Sequence, residues 1–346
     1  CTSDSPEYDI TVNALPTAPT AAANRGTITN QEQVSRITVG GAPAAGEIYY
    51  ATIDGTLYNY QVLPAGTLPS NIATGLAAAI DADPNVSAVA NGVGGAGTIE
   101  ITADNAGVPF VLTTSVSTGA GGNLGSELID GHLLLTLCSS DLVAGTNLTP
   151  TAVGADTYTY FLNGANQGAG AAYAIPAGIP DSTLITIEAE LAANGCPIEF
   201  GVNVQVNEPD GGSIGSNQTI CAGTDPAALT SLAAGTGPAG AVITYQWWED
   251  EDNDNTYVQV GGATAETYDP NNNLAAPRAR YYRRTISTLN GESCEADSNI
   301  ITITVEAALA AGAVRAAGGA ATVICSGGNA PELEDDTTGE AAAAGI

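Results

Sequence analysis

The chain has 346 residues and carries 37 acidic against seven basic side chains, which gives a net charge of −30 at pH 7. All seven basic residues are arginine, because the sequence contains no lysine. A protein of this sign repels phosphate groups, so nucleic acid and anionic membrane surfaces are predicted to be poor partners.

Six cysteines occur without a Cys-x-x-Cys spacing and beside a single histidine. This pattern argues against zinc and favours disulfides formed in an oxidising, extracytoplasmic compartment. No run of 18 apolar residues occurs, so no membrane-spanning helix is predicted. Because the sequence contains no methionine, we expect it to be a window of a longer chain.

Residues 1–16 are predicted to be the final strand of a truncated sandwich module and its linker. The alternating stretch Ile10–Val12 predicts the strand. Val12 follows Cys1 at almost the same spacing at which later valines follow later cysteines, in the pairs Cys196 with Val206 and Cys294 with Val305. An N-terminal cysteine followed by Thr-Ser-Asp is also compatible with a lipidated lipoprotein start.

Residues 17–132 are predicted to form a small α+β domain. A hairpin is predicted at Asp54-Gly55, since both positions of such a turn need positive φ. The strands are predicted at 34–39, 48–53, 57–62, 98–103 and 109–114. The pattern of residues 37–88 resembles small domains of long bacterial surface proteins and phage tail proteins.

One helix is predicted in this domain, after Pro69. Ser70 is the predicted N-cap, and Pro84 is predicted to stop the helix. The apolar residues Ile72, Leu76 and Ile80 follow one another at intervals of four. That spacing places them on one face, so the helix is predicted to lie on an antiparallel sheet.

Residues 133–208 and 209–306 are predicted to be two complete β-sandwiches. The first contains Cys138 and Cys196, and the second contains Cys221 and Cys294. A cysteine, a strand bearing tryptophan and a second cysteine are typical of a two-sheet sandwich closed by a disulfide. We therefore predict the disulfides Cys138–Cys196 and Cys221–Cys294.

Residues 307–346 are predicted to be a linker and the start of a further truncated sandwich. The stretch Val323–Cys325 repeats the opening found at Thr136–Cys138 and Thr219–Cys221. Near-constant spacing of this kind indicates tandem copies of one unit. Cys325 and Cys1 are therefore expected to lack partners within the sequence.

An acidic run follows the tryptophans and is predicted to be a hairpin tip. Asp250, Asp252 and Asp254 alternate, which is a spacing found in calcium-binding loops. The run lacks the glycine and the final glutamate of an EF-hand, so a solvated, self-repelling turn is the alternative. Calcium is the single cofactor that the sequence suggests.

Four of the seven arginines cluster at residues 278–284. Alternation along a strand places Arg280 and Arg284 on one face and Arg283 on the other. Pairing with carboxylates on neighbouring strands is the simpler interpretation. A binding site for an acidic polysaccharide is the functional alternative.

Trp247 and Trp248 are adjacent and must therefore point to opposite faces of their strand. One is expected to pack on the Cys221–Cys294 disulfide. The other is expected near the surface, where it would stack on a sugar or lie against a neighbouring strand.

Catalytic patterns are missing from the sequence. His132 is the sole histidine, and neither a nucleophile elbow nor a phosphate-binding loop occurs. We therefore predict that the chain is not an enzyme.

The motifs TICAG, YTYFLNG, YQWW and RYYRR, with the closing SNIITITV, resemble the tandem immunoglobulin-like repeats of giant surface adhesins of gliding bacteria. The resemblance covers residues 1–14 and 133–346. It implies a filamentous, extracellular cell-surface protein exported by type IX secretion. The very acidic composition and the interrupting α+β domain depart from that pattern.

The fold class is therefore predicted to be mainly β, with tandem immunoglobulin-like sandwiches and one small α+β domain. The predicted function is structural and adhesive, in surface attachment or gliding motility. The expected partners are the gliding or secretion machinery, a polysaccharide or other surface ligand, neighbouring repeats, and further copies in a filament. The alternatives are a subunit of an extracellular fibre or sheath, and a carbohydrate-binding appendage of a secreted enzyme.

Overall fold

The structure is a computed structural model. It describes residues 19–64, 68–91, 97–117, 121–153, 155–191, 197–251, 254–271, 274, 277–307, 314–316 and 333–335. Within these ranges the chain forms 26 strands and two helices. The protein is thus mainly β, which confirms the predicted fold class. Among the described residues, no helix has both the length and the apolar character needed to cross a membrane.

The chain divides into two compact units. The first comprises Cys1–Gly212, Ala234–Tyr245 and Arg284–Ser298, and the second comprises the remaining segments from Ser213 onward. This division differs from the predicted domains, because it separates the 209–306 segment into parts of both units. The predicted boundaries of the separate sandwiches stay a prediction.

The first sandwich lies in the first unit and has an immunoglobulin-like arrangement of two sheets. One sheet has the order β1-β11-β14 and the other the order β13-β12-β15-β16-β10-β2. The strands and the short helix are β1 (Thr20–Ala23), β2 (Thr27–Asn30), β10 (Leu133–Cys138), α2 (Ser139–Ala144), β11 (Thr146–Thr151), β12 (Ala155–Leu162), β13 (Ala165–Ala169), β14 (Tyr173–Ile175), β15 (Thr183–Leu191) and β16 (Pro197–Asn207).

The core of this sandwich forms because apolar residues alternate along its strands. Leu135, Ile185, Ile187 and Phe200 are fully buried between the sheets. An Asn-Gly turn joins β12 to β13, where Asn163 has a φ of 50° and Gly164 a φ of 77°. Apolar alternation and turn chemistry therefore specify the local structure of this part of the chain.

Strands β1 and β2 belong to the sandwich, although the sequence assigns residues 17–30 to the α+β domain. β1 pairs with β11, and β2 pairs with β10, both antiparallel. The α+β domain is therefore an insertion between β2 and β10. Its two connections lie side by side, because the Gln31 backbone N–H donates to the His132 carbonyl oxygen at 3.0 Å.

The inserted domain contains two antiparallel sheets and one helix. The sheets have the orders β6-β7-β3-β9 and β5-β4-β8. The elements are β3 (Val34–Gly41), β4 (Ile48–Ile53), β5 (Thr56–Gln61), α1 (Pro69–Ile80), β6 (Val86–Asn91), β7 (Gly97–Ala103), β8 (Leu112–Val116) and β9 (Gly122–Asp130). The predicted hairpin is present, with positive φ at Asp54 and Gly55, whereas β6 and β9 were not predicted.

Helix α1 packs its predicted face into the core of this domain. Ile72, Leu76 and Ile80 are each fully buried. The cap differs from the prediction, because Leu68 is the N-cap and the helix begins at Pro69, with no side-chain cap hydrogen bond. Proline fits the first helical position because the N–H it lacks has no partner within the helix.

His132 lies buried where the inserted domain rejoins the sandwich. Its Nε2 atom is 2.9 Å from the Pro19 carbonyl oxygen, to which it donates as the N–H tautomer. Burial lowers the pKa of this imidazole below its ordinary value of 6.5. The position is that of a packed, neutral histidine.

We expect proton NMR of the intact chain to show the His132 imidazole titrating with a pKa below 6.5. The resonance is unambiguous, because the sequence has one histidine. The unfolded chain binds the proton more readily, so the free energy of unfolding falls as the pH drops below about 6.5. A titration at or above the ordinary value would contradict the buried position.

The 209–306 segment forms a second strand assembly. Its main sheet has the order β18-β24-β22-β20-β21, with β23 paired to β22, and a small sheet pairs β17 with β19. The strands are β17 (Ser213–Ile214), β18 (Gln218–Cys221), β19 (Ser231–Ala233), β20 (Val242–Asp250), β21 (Val258–Gln259), β22 (Arg278–Leu289), β23 (Glu292–Asp297) and β24 (Ile301–Glu306). β25 (Val314–Ala316) and β26 (Leu333–Asp335) form a separate antiparallel pair.

The two tryptophans face opposite sides of β20, as predicted, but neither lies on the disulfide of the described structure. Trp247 is fully buried in the second unit, and its ring centroid is 5.6 Å from that of Tyr268. Its indole N–H donates to the Ala265 carbonyl oxygen at 2.9 Å. Trp248 stacks on Tyr282, with ring centroids 6.1 Å apart. Trp248 therefore lies against a neighbouring strand, which is one of the two positions expected for it.

Candidate functional site

The disulfide of the described structure joins Cys138 to Cys294, with a Cα–Cα distance of 5.5 Å. The predicted disulfides Cys138–Cys196 and Cys221–Cys294 are therefore wrong. Cys221 is an exposed free thiol. Cys196 lies outside the described residues, as do Cys1 and Cys325.

The direction of the strands explains why Cys138 does not pair with Cys196. β10 runs parallel to β16, and Cys138 lies opposite Asn207, the last residue of β16. Pro197, which follows Cys196 in the sequence, begins that strand. The two ends of β16 are separated by roughly 33 Å at about 3.3 Å per residue. A disulfide requires Cα atoms within about 7 Å.

Polar contacts surround the disulfide. We call the disulfide together with these contacts the hairpin junction. It lies in the first unit and brings the turn of β22 and β23 against the ends of β10 and β16. Its members are Thr136, Cys138, Gln205, Asn207, Ser287, Asn290, Glu292 and Cys294.

Asn207 is the buried centre of the hairpin junction, with none of its surface exposed. Its Nδ2 donates to the carbonyl oxygens of Ser287 at 2.8 Å and of Glu292 at 3.2 Å. Its Oδ1 accepts a hydrogen bond from the Ser287 hydroxyl at 2.7 Å. The amide therefore satisfies backbone and side-chain groups that burial would otherwise leave unpaired.

Asn290 positions the turn itself. It has a φ of 50° and precedes Gly291 with a φ of 86°, a pair of positive values typical of a tight hairpin. Its Nδ2 donates to Thr136 Oγ1 at 3.1 Å and to Gln205 Oε1 at 2.7 Å. The turn is thus fixed by hydrogen bonds as well as by the disulfide.

The described members of the predicted calcium site do not share an environment. Asp250 is 1% exposed at the end of β20, and its Oδ2 lies 3.8 Å from Arg280 Nη1. Asp254 is exposed and accepts a hydrogen bond from the Thr256 backbone N–H at 2.6 Å. Asp252 lies outside the described residues. Calcium binding by these three residues stays a prediction.

A pocket of about 250 Å³ lies beside the end of β20 in the second unit. Glu249 and Glu251 line it together with Asp254, Thr256 and Val258. Burial, and then the negative charge of Glu251, raise the pKa of Glu249. The Tyr281 hydroxyl donates to Glu251 Oε1 at 3.0 Å, and burial raises the pKa of this phenol.

The arginine cluster is used for internal pairing. Arg284 makes exposed ion pairs with Glu295 at 2.8 Å and with Asp297 at 2.7 Å. Arg283 is fully buried. Its guanidinium donates to Ser231 Oγ and to the carbonyl oxygens of Glu266 and Ala233. These contacts agree with the cross-strand interpretation, and the polysaccharide site stays a prediction.

Sequence reasoning missed Asn207 and Asn290 as members of a site. Asn290-Gly291 is a recognisable turn signal, and Thr136 is part of the repeated Thr-x-Cys opening. Neither signal shows which strand end the turn contacts. The contact depends on the pairing of β10 with β16, which the local sequence does not show.

Comparison with known proteins adds one family match. A family model described as a domain of unknown function (DUF8696) matches residues 210–307. No curated protein matches the sequence.

Solved structures of tandem domains resemble the chain at low similarity. Three N-terminal domains of the outer capsid protein Hoc of bacteriophage RB49 share 10% identity, with a TM-score of 0.36, over 84% of this chain and 100% of that chain. Domains A168–A170 of titin share 14% identity, with a TM-score of 0.29, over 83% of this chain and 99% of that chain. Extracellular domains 3–5 of Drosophila OTK share 10% identity, with a TM-score of 0.26, over 82% and 92%. The fold assignment therefore rests on the sheet topology.

Proposed function

We propose that the chain is a load-bearing structural segment of an extracellular, multi-domain surface protein. The observation that carries this proposal is the hairpin junction. It fixes residues far apart in sequence by one disulfide spanning 156 residues and by the hydrogen bonds of Asn207 and Asn290. A covalent bond of this kind limits how far a chain extends when its ends are pulled.

Charge and cysteine use support the extracellular setting. Disulfides persist in oxidising compartments, and a net charge of −30 keeps a long surface protein soluble and separate from its neighbours. Within this class we propose a segment of a giant filamentous adhesin that serves surface attachment or gliding motility after type IX secretion. The sequence resemblance to adhesin repeats supports this more specific role.

Force spectroscopy of the 346-residue chain, held by its two ends, tests the structural function. The oxidised chain is expected to unfold in resolved force peaks and to keep the segment between Cys138 and Cys294 closed. Reduction should release 156 residues, which adds about 56 nm of contour length at roughly 3.6 Å per residue.

The Cys138→Ser variant is the matched control, and it should show the longer contour length without reductant. Extension without resolved force peaks would contradict a load-bearing role. A contour length that reductant leaves unchanged would contradict the disulfide as its basis. Retention of chain-coated beads on polysaccharide-coated glass under flow would separately test adhesion.

A further inference from the structure

We propose that the hairpin junction becomes a metal site when its disulfide is reduced, and that Cys138, Glu292 and Cys294 then bind one Zn²⁺ ion. The ion holds the hairpin of β22 and β23 against β10 in the reduced chain, before the disulfide forms. This inference goes beyond the proposed load-bearing function, which concerns the oxidised chain.

The first argument is that three ligand groups converge at the hairpin junction. The sulfur atoms of Cys138 and Cys294 and one carboxylate oxygen of Glu292 all lie within 4.8 Å of one another. Glu292 Oε1 is 3.8 Å from Cys138 Sγ. Zinc binds thiolate sulfur at about 2.3 Å and carboxylate oxygen at about 2.0–2.2 Å. Ligand atoms this close together can share one ion after small rotations of their side chains.

The second argument is that the strands place these groups before any ion binds. Glu292 and Cys294 are two residues apart on β23, so their side chains share one face of the strand. Cys138 is the last residue of β10, and its Cα atom is 5.5 Å from that of Cys294. The ladder between β22 and β23 includes both hairpin residues. Two of the three ligands therefore lie on one paired strand.

The third argument is that contacts other than the disulfide keep the hairpin in place. Asn207 Nδ2 donates to the Glu292 carbonyl oxygen at 3.2 Å. Asn290 Nδ2 donates to Thr136 Oγ1 at 3.1 Å. Neither hydrogen bond involves sulfur, so neither depends on the disulfide. The ligands therefore need little further ordering when the ion binds the reduced chain.

The fourth argument is that the Glu292 carboxylate is already oriented. The Thr27 hydroxyl donates to Glu292 Oε2 at 2.6 Å, which leaves Oε1 on the side of the Cys138 sulfur. Hydrogen bonds of this kind orient the carboxylate ligands of metal sites and tune their affinity. Cys294 is 2% exposed and Glu292 is half-buried, so protein atoms shield these two ligands from much of the surrounding water.

The ligand set identifies the metal. Two thiolates and one carboxylate suit Zn²⁺, whereas Ca²⁺ and Mg²⁺ prefer oxygen ligands alone. A water molecule completes the tetrahedron, as at zinc sites with three protein ligands. Zn²⁺ replaces the protons of the two thiols, so its affinity rises with pH. No zinc motif marks the site in the sequence, because its ligands come from residue 138 and from residues 292–294.

The metal site and the disulfide exclude each other. A reducing dithiol transfers two electrons to the Cys138–Cys294 bond, which yields two thiols and leaves the reductant as a disulfide. Zn²⁺ then binds the two thiolates, and two protons are released. Glutathione disulfide reverses these steps. The two thiolates lose two electrons, the oxidant becomes two glutathione thiolates, and Zn²⁺ leaves unchanged.

A full chain that keeps only Cys138 and Cys294 tests the proposal. It carries Cys1→Ser, Cys196→Ser, Cys221→Ser and Cys325→Ser. The chain is reduced with a phosphine, freed of the reductant without oxygen, and titrated with Co²⁺ and then with Zn²⁺. Co²⁺ is a spectroscopic probe, because thiolate ligands give it a charge-transfer absorption in the near ultraviolet.

The reduced chain is expected to bind one Co²⁺ with this absorption and to exchange it for one Zn²⁺. Zn²⁺ should also raise the temperature at which the reduced chain unfolds, because it binds the folded state. The oxidised chain should show neither the absorption nor the rise in unfolding temperature.

Three further variants of this chain test the role of the carboxylate. Glu292→Gln should weaken Zn²⁺ binding by at least about tenfold, and Thr27→Val by about tenfold, because they remove a ligand and the group that orients it. Glu295→Gln is the matched control. Glu295 lies on the same strand but pairs with Arg284, so its replacement removes the same charge and should leave the affinity unchanged.

Equal Zn²⁺ affinities of the Glu292→Gln and Glu295→Gln chains would overturn the proposal, because the two thiols would then bind the metal without the neighbouring carboxylate. Binding of equal affinity by the oxidised chain, or a reduced chain without the charge-transfer absorption, would also overturn it. The force peaks of the oxidised chain are measured without metal, so the failure of this proposal and the failure of the load-bearing function are distinguishable.

Discussion

Replacing Cys138 and Cys294 together by serine is expected to lower the free energy of unfolding of the first compact unit by about 5 kcal/mol. The disulfide closes a loop of 156 residues, and the chain entropy that such a loop loses in the unfolded state gives this magnitude. Urea denaturation of the oxidised proteins, followed by circular dichroism, measures the difference. The effect should disappear when both proteins are compared in reductant.

Cys221→Ser is the control for this experiment. Cys221 is an exposed free thiol, so its replacement should change the free energy of unfolding by less than about 0.5 kcal/mol. A similar loss in the control and the double variant would show that the Cys138–Cys294 bond does not stabilise the unit.

Replacing Arg283 by methionine is expected to destabilise the second compact unit by about 3–5 kcal/mol. Arg283 is fully buried, and its guanidinium donates to Ser231 Oγ and to the carbonyl oxygens of Glu266 and Ala233. Methionine fills much of the same space but leaves these acceptors without the donors they have in the native structure. Arg283→Lys keeps the charge but loses the planar fork, so an intermediate loss is expected.

Arg284→Met is the matched control, one residue along the same strand. The Arg284 ion pairs with Glu295 and Asp297 are exposed to solvent, and such pairs contribute about 0–1 kcal/mol. Calorimetric melting of the three variants beside the native chain measures the contrast. Losses of the same size at both arginines would contradict the buried hydrogen-bonding role of Arg283.

Local features of the fold could be predicted because they depend on neighbouring residues. The spacing of Ile72, Leu76 and Ile80 is enough to define the buried face of α1. The Asp54-Gly55 pair is enough to define the turn between β4 and β5, since both positions adopt positive φ. No contact with a distant part of the chain is needed for either inference.

The membership of β1 and β2 in the first sandwich could not be predicted, because it depends on strands that are distant in sequence. β1 is the short stretch Thr-Ala-Ala-Ala, which is poor in the β-branched and aromatic residues typical of strands. Its partner β11 begins at Thr146, after the whole inserted domain. The sequence between them gives no sign that the chain returns to the same sheets.

The disulfide prediction failed because the spacing of a tandem repeat does not show which cysteines pair. Cys138 and Cys221 lie at the start of two equivalent repeats, and Cys196 and Cys294 lie at the end of them. The spacing of the cysteines is the same whether each pairs within its own repeat or with the next repeat. The parallel direction of β10 and β16 decides between them, because it carries Cys138 to the end of β16 far from Pro197.

The side-by-side connections of the inserted domain determine what happens to it when the protein is stretched. The chain leaves the sandwich at Gln31 and returns at His132, where the backbone N–H of the first donates to the carbonyl oxygen of the second. When the folded chain is stretched, force therefore passes from one connection to the other through the paired strands, and the inserted domain carries none of it. This domain can be exchanged for another, or removed, without changing the end-to-end length of the folded chain.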